Sequence, residues 1–317
     1  MKVIVTGVAG FIGFHLSLKL LSLGFTVKGY DNLSSFYDIN LKKERLKILE
    51  KKGLNFSTLD INTLENQESS ADLFINLAAQ PGVRVPIDHH YRYIDSNISG
   101  FNSAIYFCKK NKINRLIYAS SSSVYDDESQ VPFHEHKTKL KPRSFYGVTK
   151  LYNEKKAEIE SFKTNLKAIG LRFFTVYGPH GRPDMAYYLF SSSILAGKEI
   201  FLNNGGEMAR DMTYIDDIVE GIIGSIDRIM NNNTSNSHEI FNLGNNTPIK
   251  TIHMLNELQK KLKKDAKISF TTSSNESKIT HADLTLAKEK LGYNPKIIFE
   301  DGIEEFLNWF NKNERNK

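Results

Sequence analysis

Short apolar runs alternate with longer stretches of helical spacing through the first half of the chain. Val3–Thr6, Thr26–Tyr30, Leu54–Leu59, Leu73–Leu77, Arg115–Ala119 and Lys167–Phe173 are rich in Val, Ile, Leu and Phe. Nearly continuous apolar runs of this length suit strands buried on both faces. Between them, Phe14–Leu23, Leu41–Lys51, Tyr93–Lys110 and Phe145–Phe162 repeat apolar residues at three- and four-residue steps, which predicts helices. The alternation predicts an α/β fold: a doubly wound parallel sheet with helices on both faces.

From Gly178 the rhythm changes. Loops with Gly and Pro lead to predicted helices at Ala186–Ala196, Ile215–Ile229, Leu255–Leu262, Leu284–Leu291 and Ile303–Phe310, with a short strand at Ile240–Leu243. Asn231–Ser237 reads as a surface turn. We expect a sheet domain over 1–177, with return segments near 212–245, and a smaller mixed domain over 178–317.

With 317 residues, 40% hydrophobic and 25% charged, the chain can bury a sizeable core. Its net charge is +6, but Lys42-Lys43, Lys260-Lys261 and Lys263-Lys264 lie in amphipathic stretches and read as solvated helix faces. This argues against nucleic acid as a partner, while positive potential still favours an acidic nucleotide. Cys108 is the only cysteine, so no disulfide forms within the chain, which fits a reducing cytoplasm. The apolar run before it predicts a packed thiol. His89, His90, His134 and His136 sit in polar loops without metal-ligand spacing, and they predict solvated surface rather than a metal site. No apolar stretch is long enough to span a bilayer, and the first residues run straight into a glycine loop, as a first strand would.

That loop, Thr6-Gly-Val-Ala-Gly-Phe-Ile-Gly13, joins a predicted strand to a predicted helix. Gly7, Gly10 and Gly13 permit a tight turn and close backbone approach to a pyrophosphate, and the helix beginning near Phe11 offers free N–H groups. Phe11 and Ile12 therefore join the glycines as expected dinucleotide contacts. Asp31 ends the second strand, where an acid can accept from ribose hydroxyls and repel a 2′-phosphate, favouring NAD over NADP. Asn32 follows it. Asp60 and Ile61 close the third strand, where Asp60 is either an adenine contact or an ordinary loop acid.

Tyr146 and Lys150 stand four residues apart on a predicted helix, so phenol and ammonium share one face. A nearby ammonium lowers a phenol's pKa and makes it usable as an acid or base. Ser120, Ser121, Ser122 and Ser123 end the fifth strand, where ligands bind in such folds. One of these hydroxyls is expected to meet the substrate oxygen that Tyr146 deprotonates. A dinucleotide loop beside such a pair points to hydride chemistry at a carbinol carbon.

Over nearly its full length the chain resembles the extended short-chain dehydrogenase/reductases, and within them the UDP-glucuronate 4-epimerases. The resemblance rests on Leu77-Ala-Ala-Gln-Pro-Gly-Val-Arg84, Ala119-Ser-Ser-Ser-Ser-Val-Tyr125, Arg172-Phe-Phe-Thr-Val-Tyr-Gly-Pro179, Gly181-Arg-Pro-Asp-Met-Ala186 and Arg210-Asp-Met-Thr-Tyr-Ile-Asp-Asp217. It implies tightly held NAD in a Rossmann domain, a smaller nucleotide-sugar domain and a homodimer, for which Tyr93–Lys110 and Phe145–Phe162 are the candidate interface. It makes Tyr146 the base, Lys150 its tuner and ribose contact, and Ser121 the hydroxyl partner. Leu77, Ala78, Ala79, Asn97 and Ala119 join the cofactor site. Gln80 and Arg84 join the substrate site; Ser122, Ser123 and Thr175 surround a substrate carboxylate, with Arg182 near it on a mobile loop. Arg210 holds the diphosphate.

Similar 4,6-dehydratases place an Asp-Glu pair where Ser122 and Ser123 stand, and similar decarboxylases a Glu at Ser123, so epimerisation is favoured. The chain departs from the pattern at Asp126-Asp127, at His180, at Ala209 before Arg210, and at Asn275-Glu-Ser-Lys278. The expected activity is 4-epimerisation of a UDP-sugar, UDP-glucuronate first. Another UDP-hexose or UDP-N-acetylhexosamine, which an acidic Asp126-Asp127 loop would favour, and a non-catalytic dinucleotide binder remain the alternatives.

Overall fold

The computed structural model describes residues 1–231, 237–272 and 278–314. Most of the 231–237 turn and the divergent residues 275–277 lie outside the described residues. Strands β1 (Lys2–Thr6), β2 (Thr26–Asp31), β3 (Asn55–Thr58), β4 (Leu73–Asn76), β5 (Arg115–Ser121) and β6 (Lys167–Phe173) arise from the six apolar runs. Beyond them come β7 (Thr175–Tyr177), β8 (Glu199–Asn203), β9 (Ala209–Tyr214), β10 (His238–Leu243), β11 (Pro248–Lys250) and β12 (Lys267–Thr271). The main sheet has seven strands in the order β10-β6-β5-β4-β1-β2-β3, every neighbouring pair parallel. Chain order reverses between β1 and β4, so the crevice above their C-terminal ends is the place such sheets bind ligands.

Side chains along each strand alternate between two buried layers. Val3 and Val5 of β1 join one apolar cluster while Ile4 joins the other; Leu73 and Ile75 of β4 split likewise from Phe74. Helices cover both faces: α1 (Phe11–Ser22), α2 (Ile39–Lys51), a single turn α3 (Tyr91–Tyr93), α4 (Gly100–Lys110) and α5 (Phe145–Lys163). They are followed by α6 (Ala186–Ala196), α7 (Ile215–Met230), α8 (Thr251–Leu262), α9 (Thr285–Leu291) and α10 (Phe299–Glu314). The expected continuous helix Tyr93–Lys110 is interrupted, because Ile94–Ser99 is wound as a π-helix between α3 and α4. Such a widened turn frequently marks a functional position, and here it contains Asn97.

Two smaller sheets complete the molecule: β11-β9-β7, and the parallel pair β12-β8. Apart from β10, none of the strands after β6 was expected. They have three to six residues and are too short for a distinct period. Cys108 is fully buried, and burial pushes its thiol up, as expected of a packing residue.

The glycine loop is a tight joint against its own backbone and the end of the β4 segment. Gly7 has φ +70°, and a Cβ there would lie 2.7 Å from the Ala78 amide nitrogen at the end of β4. A Cβ at Gly13 would stand 2.2 Å from the Gly7 carbonyl oxygen, with no flexible side chain to give way. Gly13→Ala is therefore expected to lower unfolding free energy by about 2–4 kcal/mol. Gly24→Ala has open space around it (φ +80°) and should cost only the left-handed backbone term, about 1 kcal/mol. Urea titration of both variants measures this; equal losses would show that the Gly7–Gly13 contact is not limiting.

Candidate active site

Helix α1 starts at Gly10 with no side-chain cap, and its first helical bond runs from the Phe14 N–H to the Gly10 carbonyl. The amides of Phe11, Ile12 and Gly13 precede that bond and, with the positive end of the helix dipole, face the switch point. Asp31 braces the loop from β2. Its Oδ2 accepts from the Ala9 amide at 3.1 Å and its Oδ1 from the Leu33 amide at 2.8 Å, with Lys42 Nζ at 3.5 Å. Asn32 donates to Asp60 Oδ2 at 2.9 Å, and Asp60 Oδ1 accepts from the Asn62 amide. Partial burial would raise the Asp60 pKa, but these donors outweigh it and hold the carboxyl below its ordinary value. Asp60 thus caps the turn that begins at Ile61. Leu77, Ala78 and Ala79, half-buried, continue β4 beneath Gly7.

Helix α5 brings its chemistry to the end of β5. Ser144 caps it by accepting from the Gly147 amide at 3.1 Å. A Cβ on Gly147 would come within 2.3 Å of the Ser123 carbonyl, so this glycine lets the helix touch the serine run. There Ser121 hydrogen-bonds the Tyr146 phenol, and Ser123 Oγ donates to Ser121 Oγ at 3.0 Å. Ser122 shares the half-buried turn, and Thr175 opens β7 two residues beyond Phe173, the residue paired with Ser121. Lys150 Nζ donates to the Ala119 carbonyl at 3.0 Å and lies 5.7 Å from the Tyr146 ring centroid.

Sequence reasoning missed the buried network beneath this surface. Tyr146, Lys150 and Glu154 stand at four-residue steps on one face of α5. Glu154 accepts from Ser120 Oγ at 2.6 Å and from Arg172 Nε and Nη2, both at 2.8 Å. Arg172 Nη1 donates to the Tyr125 hydroxyl at 2.9 Å, which donates to Asn242 Oδ1 at 2.6 Å. Glu and Arg at these spacings could have been paired only by knowing that α5 crosses β6. Asn97 supports the other wall: its Oδ1 accepts from the Gln80 amide at 2.8 Å, and its Nδ2 donates to Gln80 O and Thr149 Oγ1. Its side chain is committed to bracing the Gln80 loop.

Expected tuning of Tyr146 by Lys150 needs correction. Burial raises the phenol's pKa overall; Arg182 and the Ser121 hydrogen bond oppose that rise. The Lys150 ammonium is itself destabilised by burial, its pKa lowered to about 8. Arg182 is the cation that opposes the rise, and it is paired with Asp184 through Nε at 3.0 Å and Nη2 at 2.5 Å. Burial, then the neighbouring Arg84, lower the Arg210 pKa, so two guanidinium groups converge.

Asp127 lies close enough to Arg210 to oppose that shift and pairs with Arg143 at 2.5 Å. Asp126 is buried, its amide bonded to Lys139 O. The acidic pair is therefore engaged by protein groups. The surface placement of two histidines is also corrected: His90 is half-buried, stacked 5.1 Å from Phe145, and His134 is half-buried with Nδ1 accepting from the His136 amide. Among the described residues, no group of three or more His, Cys, Asp or Glu could hold a metal ion, and no helix is long and apolar enough to cross a membrane.

The model of the NAD-dependent epimerase/dehydratase family matches residues 3–244. UDP-glucuronate 4-epimerase 4 of Arabidopsis thaliana is 38% identical over 98% of this chain and 75% of its own length. The crystal structure of UDP-glucuronic acid 4-epimerase from Bacillus cereus, in complex with UDP-glucuronic acid and NAD, superposes with a TM-score of 0.88 at 31% identity, covering 98% of this chain and 99% of that one. UDP-glucose 4-epimerase from Thermotoga maritima, with UDP-glucose, gives 0.88 at 26% identity, covering 99% and 100%. The chain belongs to the NAD-dependent epimerase/dehydratase family.

Lys150 makes the site intrinsically destabilising. Lowering a lysine from its usual 10.5 to about 8 corresponds to a cost on the order of 3 kcal/mol when it is protonated. The unfolded chain holds that proton more tightly, so this cost is complete below pH 8 and is relieved as pH rises from about 8 to 10.5. In cofactor-free protein at pH 7, Lys150→Met should raise unfolding free energy by about 1–2 kcal/mol after loss of the Ala119 bond, and flatten the alkaline rise. Urea unfolding across pH checks this; a destabilised variant would contradict it.

Proposed function

We propose that this family member is an NAD-dependent UDP-sugar 4-epimerase that interconverts UDP-glucuronate and UDP-galacturonate. The observation that carries the reading is the Tyr146 phenol, bonded to Ser121 and facing Arg182, set beside buried Lys150 at the switch-point end of the sheet.

The residues fit NAD. The glycine turn leaves no room for side chains where a pyrophosphate must approach, free amides begin α1, and Asp31 is a carboxylate at the ribose end of β2. Lys150 has one bond to Ala119 and further N–H donors for ribose hydroxyls. When bound, NAD supplies the acceptor and donor of hydride at the sugar C4.

The protein handles the proton and the geometry. Tyr146 accepts the 4-hydroxyl proton while Ser121 keeps that oxygen in line, and the same phenol returns the proton after the ring has turned over. Such a positioned acid–base is worth 10²- to 10⁴-fold. Burial alone would hold Tyr146 as a phenol; the positive charge of Arg182 and the Ser121 donor work against it. Arg84 and Arg210 are close enough to repel each other, and a diphosphate lying between them would offset that repulsion. Holding the diphosphate leaves the sugar free to present either face.

Ser122, Ser123 and Thr175 provide hydroxyls for the carboxylate, and Arg182 a planar fork. The Asp184 pair supports a second reading, because it already occupies that fork and would suit a neutral UDP-hexose. Exchange of Asp184 for the substrate carboxylate distinguishes the two.

We also propose a homodimer, since Val148, Ile159 and Phe162 on α5 and Tyr106 on α4 expose apolar surface, Phe162 to 89%, beside the Tyr152–Asn102 bond that joins these helices. Light scattering at twice the chain mass checks it.

Tyr146→Phe should slow conversion of UDP-glucuronate at least 10³-fold with NAD still bound. Arg182→Gln should lower kcat/KM for UDP-glucuronate by about 10²-fold, the worth of a charged hydrogen-bonded pair, and leave any UDP-glucose activity within a few-fold. Proton NMR of the sugar signals and HPLC of released nucleotide provide the measurements. Full activity in Tyr146→Phe would remove the assignment, and equal losses on both substrates in Arg182→Gln would favour the neutral hexose.

A further inference from the structure

Two side chains of the nucleotide half hold three successive carbonyls of the loop that carries Arg182. His15 Nε2, on α1, donates to the Pro179 carbonyl at 2.9 Å. Arg45, on α2, reaches the His180 carbonyl through Nη2 at 2.7 Å and the Gly181 carbonyl at 3.5 Å. Its Nη1 donates to the Ala9 carbonyl at 2.8 Å and to the Tyr37 hydroxyl at 2.7 Å. One planar guanidinium therefore joins the glycine loop, at the residue before Gly10, to the residue before Arg182.

Several features show that this connection is built rather than incidental. Arg45 is fully buried, and these four acceptors are uncharged. Burying a guanidinium without a paired anion is expensive, yet uncharged groups could pack there at less cost. His180 sits in left-handed backbone, φ +55°, where a non-glycine residue is strained. Its ring is clamped by Phe14 at 4.7 Å, also on α1, and by Trp309 at 4.9 Å. Burial holds the His15 pKa down at about 4, so it is neutral at pH 7; its Nε2–H can donate to Pro179. The loop is thus held in a strained form by groups that belong to α1 and α2, with Trp309 of α10 closing the far side of His180.

We propose that Arg45, assisted by His15, is a positioning residue that couples dinucleotide binding to the placement of Arg182. The proposal rests on the 4-epimerase reading given above. A dinucleotide pyrophosphate on the Gly7–Gly13 turn fixes Ala9, and through Arg45 it fixes the 180–181 backbone and the approach of Arg182 to a uronate carboxylate. By reciprocity, a carboxylate that engages Arg182 tightens retention of the dinucleotide by the same factor. UDP alone, which lacks the carboxylate, exerts no such pull.

The test follows NAD release from purified holoprotein after dilution, alone, with UDP, and with UDP-glucuronate. In the wild-type protein, UDP-glucuronate should slow release about tenfold more than UDP does, within the usual range of such couplings. In Arg45→Met, NAD should still bind, and the two ligands should slow its release equally, to within about twofold. Arg45→Lys, which keeps the charge but cannot span all four acceptors, should retain an intermediate coupling; it decides the matter if the Met variant does not melt cooperatively. Wild-type coupling in either folded variant would overturn the proposal, as would equal effects of UDP and UDP-glucuronate on the wild-type protein. Wild-type protein that binds no NAD would instead overturn the functional reading on which the proposal rests.

Discussion

The carboxylate of Glu154 is the pin on which the site turns. It lies two helical turns beyond Tyr146, fully engaged by Arg172 from β6 and Ser120 from β5. A buried ion pair of this kind adds little net stability over apolar packing, but breaking one partner is costly. What it does provide is register. With Glu154 anchored, Lys150 falls under the Ala119 carbonyl and Tyr146 against Ser121, while Gly147 allows the contact with Ser123. A slip of α5 by one residue would carry phenol, ammonium and carboxylate together off their partners.

The chemistry above that pin is dominated by crowded positive charge. Lys150 is buried to the point of a pKa near 8, and Arg84 stands close enough to Arg210 to lower its pKa. Arg182 borrows Asp184 as its partner, and Asp127 borrows Arg143. Without ligands this is an expensive arrangement. On the proposed reading, a molecule carrying a diphosphate and a carboxylate would relieve it at several points at once, so that the protein would hold an anionic sugar nucleotide firmly and still let the ring rotate.

Much of this was legible along the chain. The parallel sheet follows from continuous apolar runs at β1, β4, β5 and β6, because strands buried on both faces cannot alternate. The glycine turn and the Tyr146/Lys150 spacing are local signals that need no tertiary knowledge. The short strands β7, β8, β9, β11 and β12 were not legible, since three to six residues carry no readable period and their pairing is set by distant partners. The same limit hid Glu154–Arg172 and Arg45, whose partners lie far along the sequence. Charges were the least readable: Asp126-Asp127 looked like a threat to an anion, but one is buried and the other is paired with Arg143. Lys150 looked like the tuner of Tyr146, but burial sets the phenol first, and Arg182 and Ser121 oppose it.

The central claim is that the chain carries its own redox partner and inverts C4 of a uronate. Purified protein incubated with UDP-glucuronate, with no nucleotide added, and followed by proton NMR tests it in one step. Appearance of UDP-galacturonate, approaching a fixed ratio from either sugar, is the predicted result. No change in the sugar signals from protein that releases NAD on denaturation would contradict the uronate assignment.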